Sequence, residues 1–442
     1  MTGLSFGNDR LSRRRFPIAV VVWVVLLAAG ALFVWWGFFA PDGAEEPPQA
    51  TPTPTATPSL VPLFTQPPSG EVSPTVAPGQ TAVATIPLEQ ETFGYGVATD
   101  GLLLTEYTME QVRNLGLGWV KQQVRWSAFS SAPGQMDWSG YDAVVDVANR
   151  AGLRVMLSVV DAPEWSYTYR DSNPEASPPD DLALYAEFLG QLVDRYRGRV
   201  HAIEVWNEQN LDREWDTAEG VNPARYVEML RLAYQVIKSR DPNIIVISGA
   251  LSPVGATATD PNNPARVIYM NDRDYFQRAV ANGMLNYCDC IGVHHNGYNI
   301  PPDVHWNDAY QDATAVFRGF WDTPDISWSF ISTLEWYNQA AGGTRPLCVT
   351  EFGWASSEGF GGYPPGLEFA QDNTLQEQAD YDVQAFQLMR QWGFVRLAFL
   401  WNLDYATKGP RLATDPNAPY SITDMYGGPR PAFWAIMQME KP

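Results

Sequence analysis

Two hydrophobic patterns alternate along the chain from residue 94 to its end. Short apolar runs of strand character stand at 94–99 (GYGVAT), 118–124 (GWVKQQV), 153–160 (LRVMLSVV) and 201–206 (HAIEVW). Four more follow at 243–249 (NIIVISG), 290–295 (CIGVHH), 346–350 (PLCVT) and 396–401 (RLAFLW). Between them lie stretches with apolar residues near i, i+3/i+4 and i+7, the spacing of one helix face. The clearest are 181–197, 223–239 and 375–392, and a last one, 431–440, follows the eighth run. Asp180 and Asp181 stand where a helix N-cap belongs. Eight strand–helix units in succession predict a parallel (β/α)8 barrel over 93–442. A doubly wound open sheet, the alternative, needs a Gly-rich phosphate loop after its first strand, and TDGLLLTEYT stands there instead.

The start of the chain has a different pattern. Residues 1–16 carry Arg10, Arg13, Arg14 and Arg15, and then 17–40 (PIAVVVWVVLLAAGALFVWWGFFA) holds no charge. Such a run is long enough to cross a hydrocarbon core of about 30 Å. Arginines before it place the N-terminus in the cytoplasm and the remainder outside the cell. The expected organisation is a cytoplasmic stub (1–16), a single-pass transmembrane signal-anchor (17–40) and an extracellular remainder. A cleaved secretory signal, with Ala29-Gly30-Ala31 as its cleavage site, is the competing reading. Residues 41–92 are rich in Pro and Thr and contain no Lys or Arg. A composition of that kind buries no core and favours an extended linker.

Composition narrows the chemistry. The net charge is −21, which argues against nucleic acid as a partner. Four His and three Cys argue against a His-rich metal site and against a disulfide scaffold. Buried free thiols are the expectation for Cys288, Cys290 and Cys348, with a Cys290–Cys348 bridge between neighbouring strands as the alternative.

In a barrel the chemistry collects at the C-terminal ends of the strands. Strand two ends in Arg125-Trp126. Strand three is followed by Asp161, Glu164 and Trp165, and strand four by Trp206-Asn207-Glu208-Gln209-Asn210. Strand six ends in His294-His295-Asn296-Gly297-Tyr298, strand seven in Glu351-Phe352-Gly353-Trp354, and strand eight in Trp401-Asn402. Glu208 and Glu351 therefore face one another across the mouth. Two opposed carboxyl groups are what glycosidic cleavage uses, one to protonate the leaving oxygen and one to attack or to activate water. No cofactor or metal is needed for that. His294 and His295, adjacent on one strand, point to opposite faces and cannot easily share an ion.

IEVWNEQN, followed by VTEFGW, resembles the clan of retaining (β/α)8 glycoside hydrolases with catalytic Glu on strands four and seven. WNEQN is most similar to glycoside hydrolase family 39, and APEW after strand three resembles the same group. Family 5 cellulases come next. The resemblance implies a hydrolase of O-glycosidic bonds, β-linked, in an oligo- or polysaccharide. Glu351 would be the nucleophile and Glu208 the general acid/base, holding its proton until used. Asn207 would bond the sugar 2-OH. Arg125 would sit beside Glu351 and favour its ionised form. Trp401 would form a platform under the sugar. His294 and Tyr298 would complete the substrate site, although the family's His-x-Tyr places Asn296 where its Tyr belongs. Two other readings use the same barrel: a catalytically silent carbohydrate-binding protein and a transglycosylase.

Overall fold

The computed structural model describes residues 92–169, 175–308, 325–409 and 414–442. The segments 1–16 and 17–40, and the linker up to residue 91, lie outside the described residues. Among the described residues no helix is long and apolar enough to cross a membrane.

Eight parallel strands form one sheet: β1 (Gly94–Ala98), β2 (Trp119–Arg125), β3 (Arg154–Val160), β4 (Ala202–Val205), β5 (Ile245–Ser248), β6 (Ile291–Gly297), β7 (Leu347–Trp354) and β8 (Val395–Leu400). Neighbours pair in chain order, β1 pairs with β8, and a parallel bridge between Ile247 and Cys290 joins β5 to β6. The sheet is thus closed. The helices are α1 (Thr105–Asn114), α2 (Ser139–Arg150), α3 (Leu182–Arg195), α4 (Pro223–Arg240), α5 (Asp272–Ala281), α6 (Phe330–Ala340), α7 (Leu375–Trp392) and α8 (Pro431–Gln438). Each strand is followed by one of them. The long loop after β5 also carries a small antiparallel hairpin, Ala258–Asp260 with Asn263–Tyr269.

Local chemistry sets the helix starts. Asp181 accepts from the Ala183 amide at the head of α3. Asn222 caps α4, with Pro223 in its first turn, and Thr374 forms a capping box with Glu377 at α7. Each cap satisfies amides that the helix leaves open, an effect worth about 1 kcal/mol.

The barrel interior has two zones. Its floor is apolar: Trp119, Met156, Ile247, Leu397 and Phe399 are fully buried there. The inward positions of β1 are glycines because this floor is full. A Cβ at Gly96 would come within 2.4 Å of the Phe399 ring, and one at Gly94 within 2.5 Å of Leu397. Above the floor the interior turns polar, with Lys121, Glu204, His294, Thr350 and Glu351 all buried. A second, larger apolar layer lies between the strands and the helices.

The thiols differ from expectation. Cys290, immediately before β6, and Cys348 on β7 form a disulfide, and only Cys288 is free. Both bridged residues point into the floor, where the strand spacing brings their Cα atoms to 5.8 Å. That lies within the range a disulfide spans. Burial pushes the Cys288 thiol up to about 12, so it stays protonated. Thiol titration of the unfolded, unreduced chain should find one reactive group rather than three. Converting Cys290 and Cys348 to Ser should cost about 2–4 kcal/mol by denaturant unfolding.

Candidate active site

Strand four ends in a sharp turn that is assembled residue by residue. Trp206 has φ 76° and Glu208 φ 44°, both in the left-handed region. Such conformations cost on the order of 1–3 kcal/mol each and need surrounding support. The Trp206 indole is wholly buried against Tyr185 and Trp215 and donates to the Glu214 carbonyl at 2.7 Å. The Glu208 amide donates to Ala250 O at 2.8 Å. Gln209 donates to Gly249 O, and Asn210 donates to the carbonyls of Ser252 and Met270. Gly249 must be glycine for this approach, since a Cβ there would meet Gln209 Oε1 at 2.4 Å. The turn therefore aims Asn207 and Glu208 while their neighbours pin the backbone. Asn207 is buried, and its Oδ1 has no hydrogen-bond partner among the described residues.

Strand seven reaches the site through a bulge. Val293 pairs with Val349, but His294 pairs with Glu351, and on the other side Ala398 pairs with Val349 and Leu400 with Phe352. One extra residue, Thr350, is thus accommodated on β7 between both neighbours. A bulge re-aims side chains. Here Thr350 and Glu351 both face inward: the Thr350 hydroxyl donates to Glu204 Oε1 at 2.6 Å, and Glu351 meets Lys121.

Lys121 is the cation at the centre of the site. Its Nζ donates to Glu351 Oε1 at 2.9 Å and lies 3.4 Å from Glu204 Oε2. Burial alone would strip its proton. The two carboxylates outweigh that and hold Lys121 above its ordinary value. Arg125 does not take this place. It pairs with Asp161 at 3.5 Å, donates to the Glu175 carbonyl and is 41% exposed. The reason is depth: Arg125 shares the face of Lys121 but stands four residues farther along β2, roughly 13 Å at strand rise. Its guanidinium reaches the rim, not Glu351.

His294 links the two glutamates. Its Nδ1 lies 3.1 Å from Glu208 Oε1 and 3.7 Å from Glu351 Oε2. Those oxygens are therefore separated by no more than the sum, 6.8 Å. Burial disfavours the charged imidazole, yet the charge of Glu351 and the hydrogen bond to Glu208 raise its proton affinity above the ordinary value. Burial also pushes Glu208 up, but the His294 hydrogen bond and charge, with Arg213 at 3.2 Å, bring it down to about 2. These directions run against the expectation that Glu208 holds its own proton at rest and favour a shared proton on His294, one hydrogen bond away. His295 faces the other way, edge-on to Phe330, and burial brings it down to about 4.

The remaining residues close the mouth. Trp401, at the end of β8, stands with its ring centroid 5.9 Å from Lys121 Nζ and 4.9 Å from the Tyr405 ring. It is half-buried. Tyr298 does not bond Glu351. It packs against Phe369 and Trp328 in the wall of a cavity outside the glutamate pair. Asn296 lines the same cavity, and its Oδ1 has no hydrogen-bond partner among the described residues.

The structure thus brings together Asn207, Glu208, His294, Glu351 and Trp401, sets Tyr298 in an adjoining wall, and leaves Arg125 at the rim. Lys121, Glu204, Arg213 and Thr350 were missed. Two of them left a signal. Lys121 and Glu204 are charged residues in the middle of buried barrel strands, where an ion survives only when paired. Among the described residues no group of three or more His, Cys, Asp or Glu is arranged to hold a metal ion.

Residues 86–271 match the family model described as cellulase, glycosyl hydrolase family 5. Among solved structures the chain is similar to a family 39 glycoside hydrolase from the gut symbiont Bacteroides cellulosilyticus, at 16% identity and a TM-score of 0.56. That match covers 80% of this chain and 64% of the other, so this chain spans slightly less than two thirds of that relative. A monomeric β-xylosidase from Caulobacter crescentus aligns at 16% identity and TM-score 0.53, covering 78% of this chain and 67% of that one. Xylanase 10B from Thermotoga petrophila, in complex with xylobiose, gives 16% and 0.52, covering 80% and 97%. At these identities the likeness is one of fold: the (β/α)8 barrel is shared with glycoside hydrolases.

Replacing Lys121 by Met leaves two buried carboxylates with no ammonium between them. Removing one partner of a buried ion pair costs about 3–5 kcal/mol. Lys121→Met should lose that much at neutral pH by denaturant unfolding, and adding Glu204→Gln should restore part of it. Additive losses in the double variant would show that Glu204 and Lys121 are not coupled.

Proposed function

We propose that the chain is a retaining glycosidase, cleaving β-linked O-glycosidic bonds of a glycan through a glycosyl-enzyme on Glu351. The observation that carries this is the single His294 nitrogen lying within 3.1 and 3.7 Å of oxygens on the two opposed glutamates. Retaining enzymes place their carboxyl groups about 5–5.5 Å apart and inverting ones about 6.5–9.5 Å. The ceiling of 6.8 Å on one pair of their oxygens admits the shorter class and reaches only the lower edge of the longer one. The match of residues 86–271 to a glycosyl hydrolase family supports the same reading.

The steps follow from the positions. A sugar ring rests on Trp401 with its anomeric carbon over Glu351. A Glu351 oxygen attacks that carbon, the bond to the leaving oxygen breaks, and Glu208 protonates that oxygen. Glu208 receives its proton from His294 Nδ1, on which it is stored. Substrate favours this transfer by excluding water and by loosening the half-exposed Arg213 from Glu208. In the second step water attacks the anomeric carbon, Glu208 takes a water proton, and the Glu351 ester bond breaks. Asn207, with its open Oδ1, is placed to accept a bond from the 2-OH, a contact that strengthens in the transition state. Lys121 keeps its ion pair with Glu351 until attack neutralises the carboxylate. A transglycosylase would differ only in the acceptor of the second step, and a silent binding barrel would not need the Lys121–Glu351 and His294–Glu208 pairs.

We further propose that 17–40 anchors the chain in the cell membrane, that 41–92 is a spacer, and that the barrel works outside the cell. The Arg cluster before the apolar run supports this orientation. The Cys290–Cys348 disulfide supports an oxidising compartment.

Glu208→Gln should lower kcat by about 10²–10⁴-fold on substrates with poor leaving groups. Glu351→Gln should lose turnover on every substrate. Unchanged activity in both variants would remove these residues from the mechanism. The pH profile gives a separate check. The group that must hold a proton is the His294–Glu208 pair, and the pair titrates as a unit. With His294 raised above its ordinary 6.5, the basic limb of kcat/KM should lie above pH 6.5. His294→Gln removes the storage site, so the proton must bind Glu208 itself and the limb should move to lower pH, into the carboxylate range. A limb that stays in place would place the stored proton elsewhere.

A further inference from the structure

The proposed function concerns the sugar side of the scissile bond, and a cavity beside Glu208 bears on the other side. Its volume is about 540 Å³. Two of its lining residues, Arg213 and Ser252, also bond the Glu208 carboxylate. Glu208 itself, Glu351, Lys121 and Trp401 are not part of its wall, and Arg213 and Ser252 are what tie it to Glu208. Since the general acid faces the leaving group, a cavity that shares Arg213 and Ser252 with Glu208 and no residue with Glu351 stands on the side of what departs.

The wall exposes more apolar than polar surface. Beyond Arg213, Ser252 and Asn296 it is made of apolar and aromatic side chains, among them Val254, Leu367, Phe369 and the rings of Tyr298 and Tyr420. They come from the loops after β5, β6, β7 and β8, and the Tyr298 ring closes against Phe369 edge-on at 4.9 Å. A second sugar carries hydroxyls all round its ring, and each one buried without a partner costs free energy. Apolar surface gains from the same wall, in proportion to the area removed from water.

We infer that the leaving group is apolar: an alkyl or aryl aglycone occupies this cavity, and the substrate is an amphiphilic glycoside, not an internal bond of a long polysaccharide. The inference rests on the glycosidase reading. Its test separates the two.

S-linked glycosides resist hydrolysis and report binding alone. Methyl, octyl and phenyl thioglycosides of glucose, xylose and mannose would be titrated calorimetrically into the full chain, below the micelle concentration. For at least one sugar, the octyl or the phenyl form should bind at least tenfold more tightly than the methyl form. The stronger of the two assigns the aglycone as alkyl or aryl. Val254→Asp and Leu367→Gln, both at half-buried loop positions, should each remove most of that advantage. Their binding of the methyl form should stay within twofold of the parent, which guards against a mere loss of folding. Equal affinities for methyl, octyl and phenyl forms across all three sugars would overturn the inference. Turnover of the O-linked counterparts is read separately. Hydrolysis without an octyl or phenyl advantage leaves the glycosidase reading standing and removes the apolar aglycone. Such an advantage that both variants leave intact places the apolar contact elsewhere and also overturns it.

Discussion

One lysine inside the barrel holds the site together. Lys121 has no access to water, yet it stays charged because Glu204 and Glu351 flank it at 3.4 and 2.9 Å. An ammonium so placed is tolerable only with both partners, and each partner is tolerable only with the ammonium. The consequence is geometric. Glu204 belongs to β4, Lys121 to β2 and Glu351 to β7, so three strands that do not all touch are tied through one Nζ. Glu204 spends its other oxygen on the Thr350 hydroxyl, which fixes the bulge that turns Glu351 inward. His294 adds β6 by reaching both glutamates. The groups proposed to react are therefore positioned by the barrel strands themselves.

Strain and charge are concentrated where chemistry is proposed. Trp206 and Glu208 adopt left-handed backbone on either side of Asn207, and the buried indole of Trp206 with the amides of Gln209 and Asn210 hold that turn. The same turn brings Arg213 back to Glu208. Against burial, the hydrogen bond and charge of His294, and then the charge of Arg213, draw the Glu208 carboxyl below the usual carboxylate range. Nearby Glu214 is driven the opposite way, to about 9, by burial and by the charge of Glu208.

Much of the barrel was legible in the sequence because burial on both faces writes itself as apolar runs. All eight strands fall on the expected segments within a few residues, and α7 spans 375–392 as read. Glu208, Glu351, Asn207, His294 and Trp401 were legible because they stand at strand ends. What failed was depth. Arg125 shares parity with Lys121, and alternation alone does not say which of two inward cations lies level with Glu351. The bulge at Thr350 was equally invisible, since one extra residue shifts register without changing the hydrophobic pattern. Tyr298 stands in the cavity wall and not against Glu351 for a similar reason: beyond the strand end, periodicity no longer dictates where a side chain goes. The Cys290–Cys348 bridge depends on register between two strands, which spacing in sequence leaves open.

The central claim is that attack passes through Glu351 and leaves the sugar configuration unchanged. Proton NMR of the first-formed product, recorded before mutarotation, tests it directly on a β-glycoside the chain cleaves. The account predicts that the β-anomer appears first and the α-anomer grows in later. Early appearance of the α-anomer would mean that water attacks directly, and the roles assigned to Glu208, Glu351 and their shared histidine would have to be abandoned.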